Sequence, residues 1–218
     1  MNNLGTVPRK VKICGIKTPE IARLSSAHGA DMIGVVFFKK SPRNIDFKTA
    51  AEIKSSLHKN SKIVAVTVNP DDEFIDEMLK AFKPDLLQLH GSETRERVLE
   101  IKEKYGLSII KAISLENPDD TKKAEIFSDI ADYILFDSTP PKNSELPGGN
   151  SLKFNWNILK DHNVTYNWIL SGGLNPDNID QAKTQTKAVF FDVSSGIESS
   201  SGIKDIALIK KFIDSVKN

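Results

Sequence analysis

Cysteine is nearly absent: the 218-residue chain has one, Cys14. A single thiol excludes an internal disulfide and fits a reducing compartment. Apolar runs are short, and none approaches the roughly 20 residues that a membrane span requires. The stretch Met1–Lys10 is polar and has no signal-peptide apolar region, so a cytoplasmic protein is the expectation. An excess of charge is also missing. The 30 basic side chains offset 29 acidic ones, for a net charge of +1, so no bulk field draws nucleic acid or an anionic membrane. There is no dinucleotide-binding glycine fingerprint and no phosphate loop of the nucleotide-hydrolase type. No His, Cys and Asp cluster has metal-ligand spacing, and His28, His58 and His162 fall in or near helical segments; no metal site is expected.

What is present is a regular alternation. Apolar or β-branched runs at Val11–Cys14, Met32–Phe38, Ile63–Asn69, Leu86–His90, Ser108–Ile113, Tyr133–Asp137, Asn167–Ser171 and Ala188–Val193 read as strands. Helical periodicity covers Pro19–His28, Asp46–Leu57, Asp71–Phe82, Glu93–Tyr105, Asp119–Ile130, Asn175–Lys183 and Ile203–Val216, with a shorter segment at Asn155–Lys160. Eight strands alternating with eight helices predict parallel βαβ units. In about 200 residues this favours a closed (β/α)8 barrel over an open doubly wound sheet. Hydrophobic residues make up 39% of the chain, enough for one large core. No composition break divides it, so the expectation is one catalytic domain over residues 11–218 behind a flexible extension at 1–10. The Pro-, Gly-, Asn- and Ser-rich stretch Ser138–Lys153 reads as a mobile loop over the active face.

Active groups of a parallel barrel come from the C-terminal ends of its strands. Those ends carry Cys14-Gly15, Arg43, Asn69, Gln88 and His90, Asp137, Gly172-Gly173, and Asp192 to Gly196. A thiol with a modestly lowered pKa would serve as a base near neutrality; the alternative for Cys14 is packing as a small hydrophobe. A carboxyl at the mouth of an apolar barrel can be kept protonated by exclusion of water and so serve as an acid. The alternative for Asp137 is a turn cap. The glycine-bearing turns after the last two strands, at Gly172-Gly173 and Ser195-Gly196, suit a phosphate held by backbone N–H groups, against a reading as ordinary tight turns. An inward Arg43 would offer a planar fork for a carboxylate, and His90 would line the barrel mouth.

The segments KICGI (12–16), GADMIGVVFFKKSPR (29–43), VAVTVN (64–69), LLQLHG (86–91), LFDS (135–138), FNW (154–156), LSGGLNPDNI (170–179), DVSSGIE (192–198) and GIKD (202–205) stand in one order and spacing. Together they resemble the phosphoribosylanthranilate isomerases of tryptophan biosynthesis, from about Val11 to about Phe212. The resemblance implies a (β/α)8 barrel that converts N-(5-phosphoribosyl)anthranilate into 1-(2-carboxyphenylamino)-1-deoxyribulose 5-phosphate by an Amadori rearrangement. It further implies Asp137 as general acid and Cys14 as general base. Arg43 would face the anthranilate, Gln88 and His90 would bind the substrate, Asp192 would lie near the sugar hydroxyls, and Gly172, Gly173, Ser195 and Gly196 would take the phosphate. The implied partner is a small phosphosugar, with no cofactor, no nucleic acid and no membrane, in a monomer or homodimer.

Two departures stand out. Gly148-Gly149-Asn150-Ser151 lacks the last glycine of the Gly-Gly-Thr/Ser-Gly run common in that family, and Ser171 replaces an alanine. Two rival readings share the fold. One is another phosphosugar barrel such as indole-3-glycerol-phosphate synthase, which Cys14, Asp137 and the lack of a lysine at the end of the second strand disfavour. The other is a ligand-binding barrel without catalysis, which the presence of both reactive groups disfavours.

Overall fold

Eight parallel strands close on themselves in chain order. They are β1 (Lys10–Cys14), β2 (Met32–Phe37), β3 (Lys62–Thr67), β4 (Leu86–Leu89), β5 (Ser108–Leu115), β6 (Tyr133–Ser138), β7 (Trp168–Leu170) and β8 (Phe190–Val193). The first strand pairs with both β2 and β8, with Cys14 opposite Gly34 and Lys12 opposite Asp192. That double pairing excludes the open doubly wound sheet. The structure is a computed structural model that describes residues 8–139, 155–160 and 164–218. Most of the extension, most of the Ser138–Lys153 loop and the Gly148–Ser151 departure lie outside the described residues. Lys10 is not part of an extension: it opens β1, and its amide donates to Val189 O at 2.8 Å.

Local chemistry sets the helix starts. Helix α1 (Pro19–Ala27) is capped by the Thr18 hydroxyl and has proline at its first position. Asp46, Asp71 and Thr94 cap α2 (Phe47–Ser56), α3 (Asp72–Ala81) and α4 (Arg95–Tyr105) in the same way. Gly106 ends α4 with φ 63°, the left-handed turn that glycine adopts without strain. Two helices are shorter than their periodicity suggested. After β5 the chain makes a 3-10 turn (Pro118–Thr121) and one α-turn, α5 (Lys122–Glu125). Beyond it Ser128 N and Oγ both go to Glu125 O, and Ile130 N reaches only to Phe127 O, so a local side-chain bond competes with α-helix propagation. Asn155–Lys160 is likewise a 3-10 turn, Trp156–Leu159. Helix α6 (Ile179–Gln185) starts late because Asn175–Asn178 forms a turn in which the Asn178 side-chain Oδ1 accepts from Asn175 N.

The sequence reading missed a hairpin. Residues 203–204, expected to be helical, form β10 (Ile203–Lys204), antiparallel to β9 (Glu198–Ser200). The last helix, α7 (Ile206–Lys217), starts at Asp205, whose carboxylate accepts from Ala207 N and Leu208 N.

Strand parity sorts the core into two layers. Met32, Val36, Val64, Val66, Leu86, Ile110, Ala112, Leu135, Ile169 and Phe190 fill the barrel with Cys14, while Val11, Ile13, Ile33, Ile63, Leu87, Ile109, Phe136 and Phe191 pack outward against the helices. At the N-terminal end of the barrel, Asp31, Asp85 and Asp132 each accept from an amide of the preceding strand, those of Val11, Ile63 and Ile109 at 2.7–2.8 Å. That end is built for stability, and the chemistry lies at the other.

Candidate active site

The C-terminal strand ends surround a cavity of about 750 Å³, including space open to solvent. Its wall includes Cys14, Arg43, Gln88, His90, Asp137, Gly172, Gly173, Asp192 and Ser195. Gly196 stands behind the wall, where a Cβ would collide with the backbone oxygen of Leu174.

Cys14 is 8% exposed and shares the inward face of β1 with Lys12. Its carbonyl accepts from Ser194 Oγ at 3.2 Å, which fixes the strand end to the turn after β8. Burial pushes the Cys14 thiol up; Lys12 and Lys204 oppose that rise, and Asp192 adds to it. This corrects the expectation of a lowered thiol pKa. A strand end inside a barrel excludes more water than an open turn, and desolvation disfavours the thiolate.

Asp137 is 4% exposed. Its Oδ1 accepts from Ser138 N at 2.8 Å, and its Oδ2 lies 3.4 Å from His90 Nε2. On its other side His90 Nδ1 meets Gln88 Nε2 at 2.9 Å. An amide NH2 only donates, so Nδ1 is assigned as acceptor and the ring proton to Nε2, facing Asp137. Among the described residues, His90 Nε2 and Gln88 Oε1 are buried without a hydrogen-bond partner. Buried polar atoms of this kind are normally satisfied, and both sit in the cavity wall.

The turn after β7 places Gly172 at φ 84° and Gly173 at φ 66°, and Asn178 Nδ2 donates to Gly173 O at 2.9 Å. Among the described residues the amides of Gly172, Gly173, Ser195 and Gly196 find no protein acceptor. Two turns with free N–H groups flank one corner of the cavity, the arrangement that holds an anion.

Arg43 is 6% exposed, and its fork is already engaged. Nε and Nη2 donate to Glu198 Oε1 and Oε2 at 2.7 and 2.9 Å. Lys204 Nζ donates to the same Oε1 at 2.7 Å and to Ser194 O at 2.9 Å. Burial would raise the Glu198 carboxyl, but Arg43 and Lys204 hold it down at about 2. Burial lowers Lys204 to about 8 against the pull of Glu198. A Cβ on Gly15 would lie 2.5 Å from Arg43 Cδ, and one on Gly202 would lie 2.6 Å from Pro42 O. The β9–β10 hairpin and the turn after β1 therefore both pack against the loop that carries Arg43.

Sequence reasoning gave Glu198, Lys204 and Lys12 no role. The available signals were an acid and a base on either side of the Ser199–Gly202 turn, and a lysine of the same strand parity as Cys14. Lys12 is fully buried, and its Nζ donates to Asp192 Oδ1 at 2.8 Å. The second oxygen of Asp192 accepts from Ser171 Oγ at 3.0 Å. The departure at Ser171 thus supplies a hydroxyl that an alanine lacks.

Residues 11–215 match the family model described as N-(5′-phosphoribosyl)anthranilate (PRA) isomerase. The N-(5′-phosphoribosyl)anthranilate isomerase of Rhizobium leguminosarum bv. trifolii is 46% identical over 207 residues, which span 95% of this chain and 93% of that protein. The crystal structure of phosphoribosyl anthranilate isomerase from Thermotoga maritima superposes with a TM-score of 0.85 at 35% identity, covering 96% of this chain and 98% of that one. A phosphoribosyl anthranilate isomerase in complex with reduced 1-(o-carboxyphenylamino)-1-deoxyribulose 5-phosphate gives a TM-score of 0.81 at 33% identity, with the same coverage. On fold, family match and relatives alike, the chain belongs to the phosphoribosylanthranilate isomerases, the barrel enzymes of tryptophan biosynthesis.

Proposed function

We propose that this isomerase rearranges N-(5′-phosphoribosyl)anthranilate by proton transfers at opposite walls of one cavity, with Asp137 as acid and Cys14 as base. The observation that carries the reading is the joint exposure of those two groups to a cavity that also contains the two glycine-bearing turns. Asp137 gives its proton to the furanose ring oxygen, the bond from that oxygen to C1′ breaks, and the anthranilate nitrogen completes a Schiff base. The C2′–H bond is now beside an iminium carbon, and the Cys14 thiolate removes that proton. The resulting enolamine becomes the ketone by losing the hydroxyl proton at C2′ and gaining one at C1′. The substrate is thereby isomerised with no net gain or loss of protons. The enzyme resets by returning the proton gained at Cys14 to Asp137 through solvent.

The remaining groups bind and orient. The amides of Gly172, Gly173, Ser195 and Gly196 take the phosphate, whose remote binding energy serves the chemistry. The free atoms of Gln88 and His90, with Asp192, meet the sugar hydroxyls. Arg43 turns its remaining donors to the anthranilate carboxylate while Glu198 fixes its plane. The active unit is one domain that begins at Lys10, the first residue of β1, and acts on a free phosphosugar in the cytoplasm, as a monomer or homodimer. The balanced charge and the single thiol support that setting, and no described helix is long and apolar enough to cross a membrane.

Freshly made phosphoribosylanthranilate fluoresces and its product does not. Steady-state assays of wild type, Cys14→Ala and Asp137→Asn should show near-complete loss in both variants. Retention of more than about a tenth of wild-type turnover in either variant would remove that residue from the mechanism, since general acid–base groups contribute about 10²–10⁴-fold.

A further inference from the structure

A base that must be a thiolate sits where burial favours the thiol, and Lys12 lies directly below it. Lys12 and Cys14 are two residues apart on β1, so both point into the barrel. The position opposite Cys14 on β2 is Gly34. A Cβ there would lie 3.0 Å from Cys14 Sγ and 3.2 Å from Lys12 Nζ. The sulfur and the ammonium nitrogen therefore converge on one small space that stays open because Gly34 has no side chain. Their separation is bounded near the roughly 6 Å within which an opposite charge favours ionisation.

We propose that Lys12 is a positioning residue for catalysis: its buried ammonium is the fixed counter-charge that keeps the Cys14 thiolate populated and aimed. The proposal rests on the reading of Cys14 as the base. Lys12 is 0% exposed, and a buried cation needs strong partners. Asp192 is one, at 2.8 Å. The thiolate, once formed, is the second. Lys12 keeps its charge in this setting: burial works against it, but Asp192 and Cys14 together outweigh burial. Of the charged groups that act on the thiol, Asp192 on β8 opposes ionisation, while Lys12 and, more weakly, Lys204 on β10 favour it. Arg43 in the loop after β2, His90 just past β4 and Asp137 on β6 face the same cavity.

The bland account is that Lys12 and Asp192 only tie β1 to β8. The two accounts differ in the titration of the thiol. Because Cys14 is the sole cysteine, the pH dependence of alkylation by iodoacetamide reads that titration directly, without reference to activity. In Lys12→Met the alkylation midpoint should rise by at least one pH unit, a tenfold loss of thiolate near neutrality. The rising limb of kcat/KM should move with it, and Lys12→Arg should restore part of the shift. Lys12→Met leaves Asp192 buried without its cation, so the pair Asp192→Asn and Lys12→Met/Asp192→Asn keeps the test open if the single variant does not fold. The double variant should titrate at higher pH than Asp192→Asn. An unchanged alkylation midpoint on losing Lys12, in either background, overturns the proposal whatever happens to stability or turnover. A base other than Cys14 would instead show itself as turnover surviving in Cys14→Ala, a separate result.

Discussion

Glu198 grips the guanidinium of Arg43 with both carboxylate oxygens, Oε1 to Nε at 2.7 Å and Oε2 to Nη2 at 2.9 Å. Two parallel charge-assisted bonds fix the plane of the guanidinium as well as its position. The same carboxylate takes Lys204 and the amide of Gly202, so the hairpin and the loop after β2 form one unit.

Removing the carboxylate charge should therefore loosen Arg43 before it touches the chemistry. Glu198→Gln is expected to raise KM about tenfold with a smaller change in kcat, and to cost about 3 kcal/mol of stability, the usual scale for breaking a buried pair from one side. Arg43→Ala should also act mainly on KM, by roughly 10–100-fold, the worth of one hydrogen bond to a charged partner. Steady-state kinetics with urea denaturation separate the two effects. A kcat loss with normal KM in Glu198→Gln would show that the pair serves the reacting atoms instead.

Acid should unfold the protein partly through this carboxylate. The folded state holds Glu198 at about 2, whereas an unfolded glutamate titrates at about 4.3. The folded-state pKa is the lower, so the stabilisation is complete above pH about 4.3 and is lost as pH falls through about 2. Denaturant midpoints measured from pH 6 down to 2 should fall less steeply in Glu198→Gln than in the wild type. Parallel slopes would contradict the shift.

Asp137→Asn should lower kcat by about 10³–10⁴-fold, the upper part of the range for a general acid. Its bond from Ser138 N, at 2.8 Å, survives the change, so stability should stay within about 0.5 kcal/mol of wild type. Thermal unfolding beside fluorescence kinetics makes the check. A large stability loss with modest kinetics would mark Asp137 as a cap.

The phosphate turns have their own signature. Gly173→Ala forces alanine to φ 66°, at a cost of about 1–2 kcal/mol, and should weaken inhibition by inorganic phosphate together with substrate binding. Gly196→Ala drives a Cβ into the Leu174 carbonyl and should be worse on both counts. Phosphate titrations of the two variants decide the point; unaltered inhibition would place the anion elsewhere.

The barrel was legible because its units are local. Each strand is a short apolar or β-branched run, and Thr18, Asp46, Asp71 and Thr94 announce helix starts by side-chain chemistry that needs no tertiary context. What escaped notice depends on pairing that residue spacing does not announce. Ile203–Lys204 has helical spacing, but pairing with Glu198–Ser200 makes it a strand. Lys12 looks like a solvated charge until β8, 180 positions later, brings Asp192 beside it. The direction of the Cys14 shift depends on how much water the closed barrel removes, which a strand-end position alone does not reveal.

The seam between β1 and β8 also sets a schedule for the living chain. Translation at about 5–20 residues per second separates the synthesis of Lys12 from that of Asp192 by roughly 10–40 s. For most of that interval the sole thiol has no roof over it. A chain that stops before β8 lacks the Ser195-Gly196 turn and the partner of Lys12, so catalysis begins only when the last strand is in hand. A stalled or clipped product that ends before β8 should be silent rather than partly active.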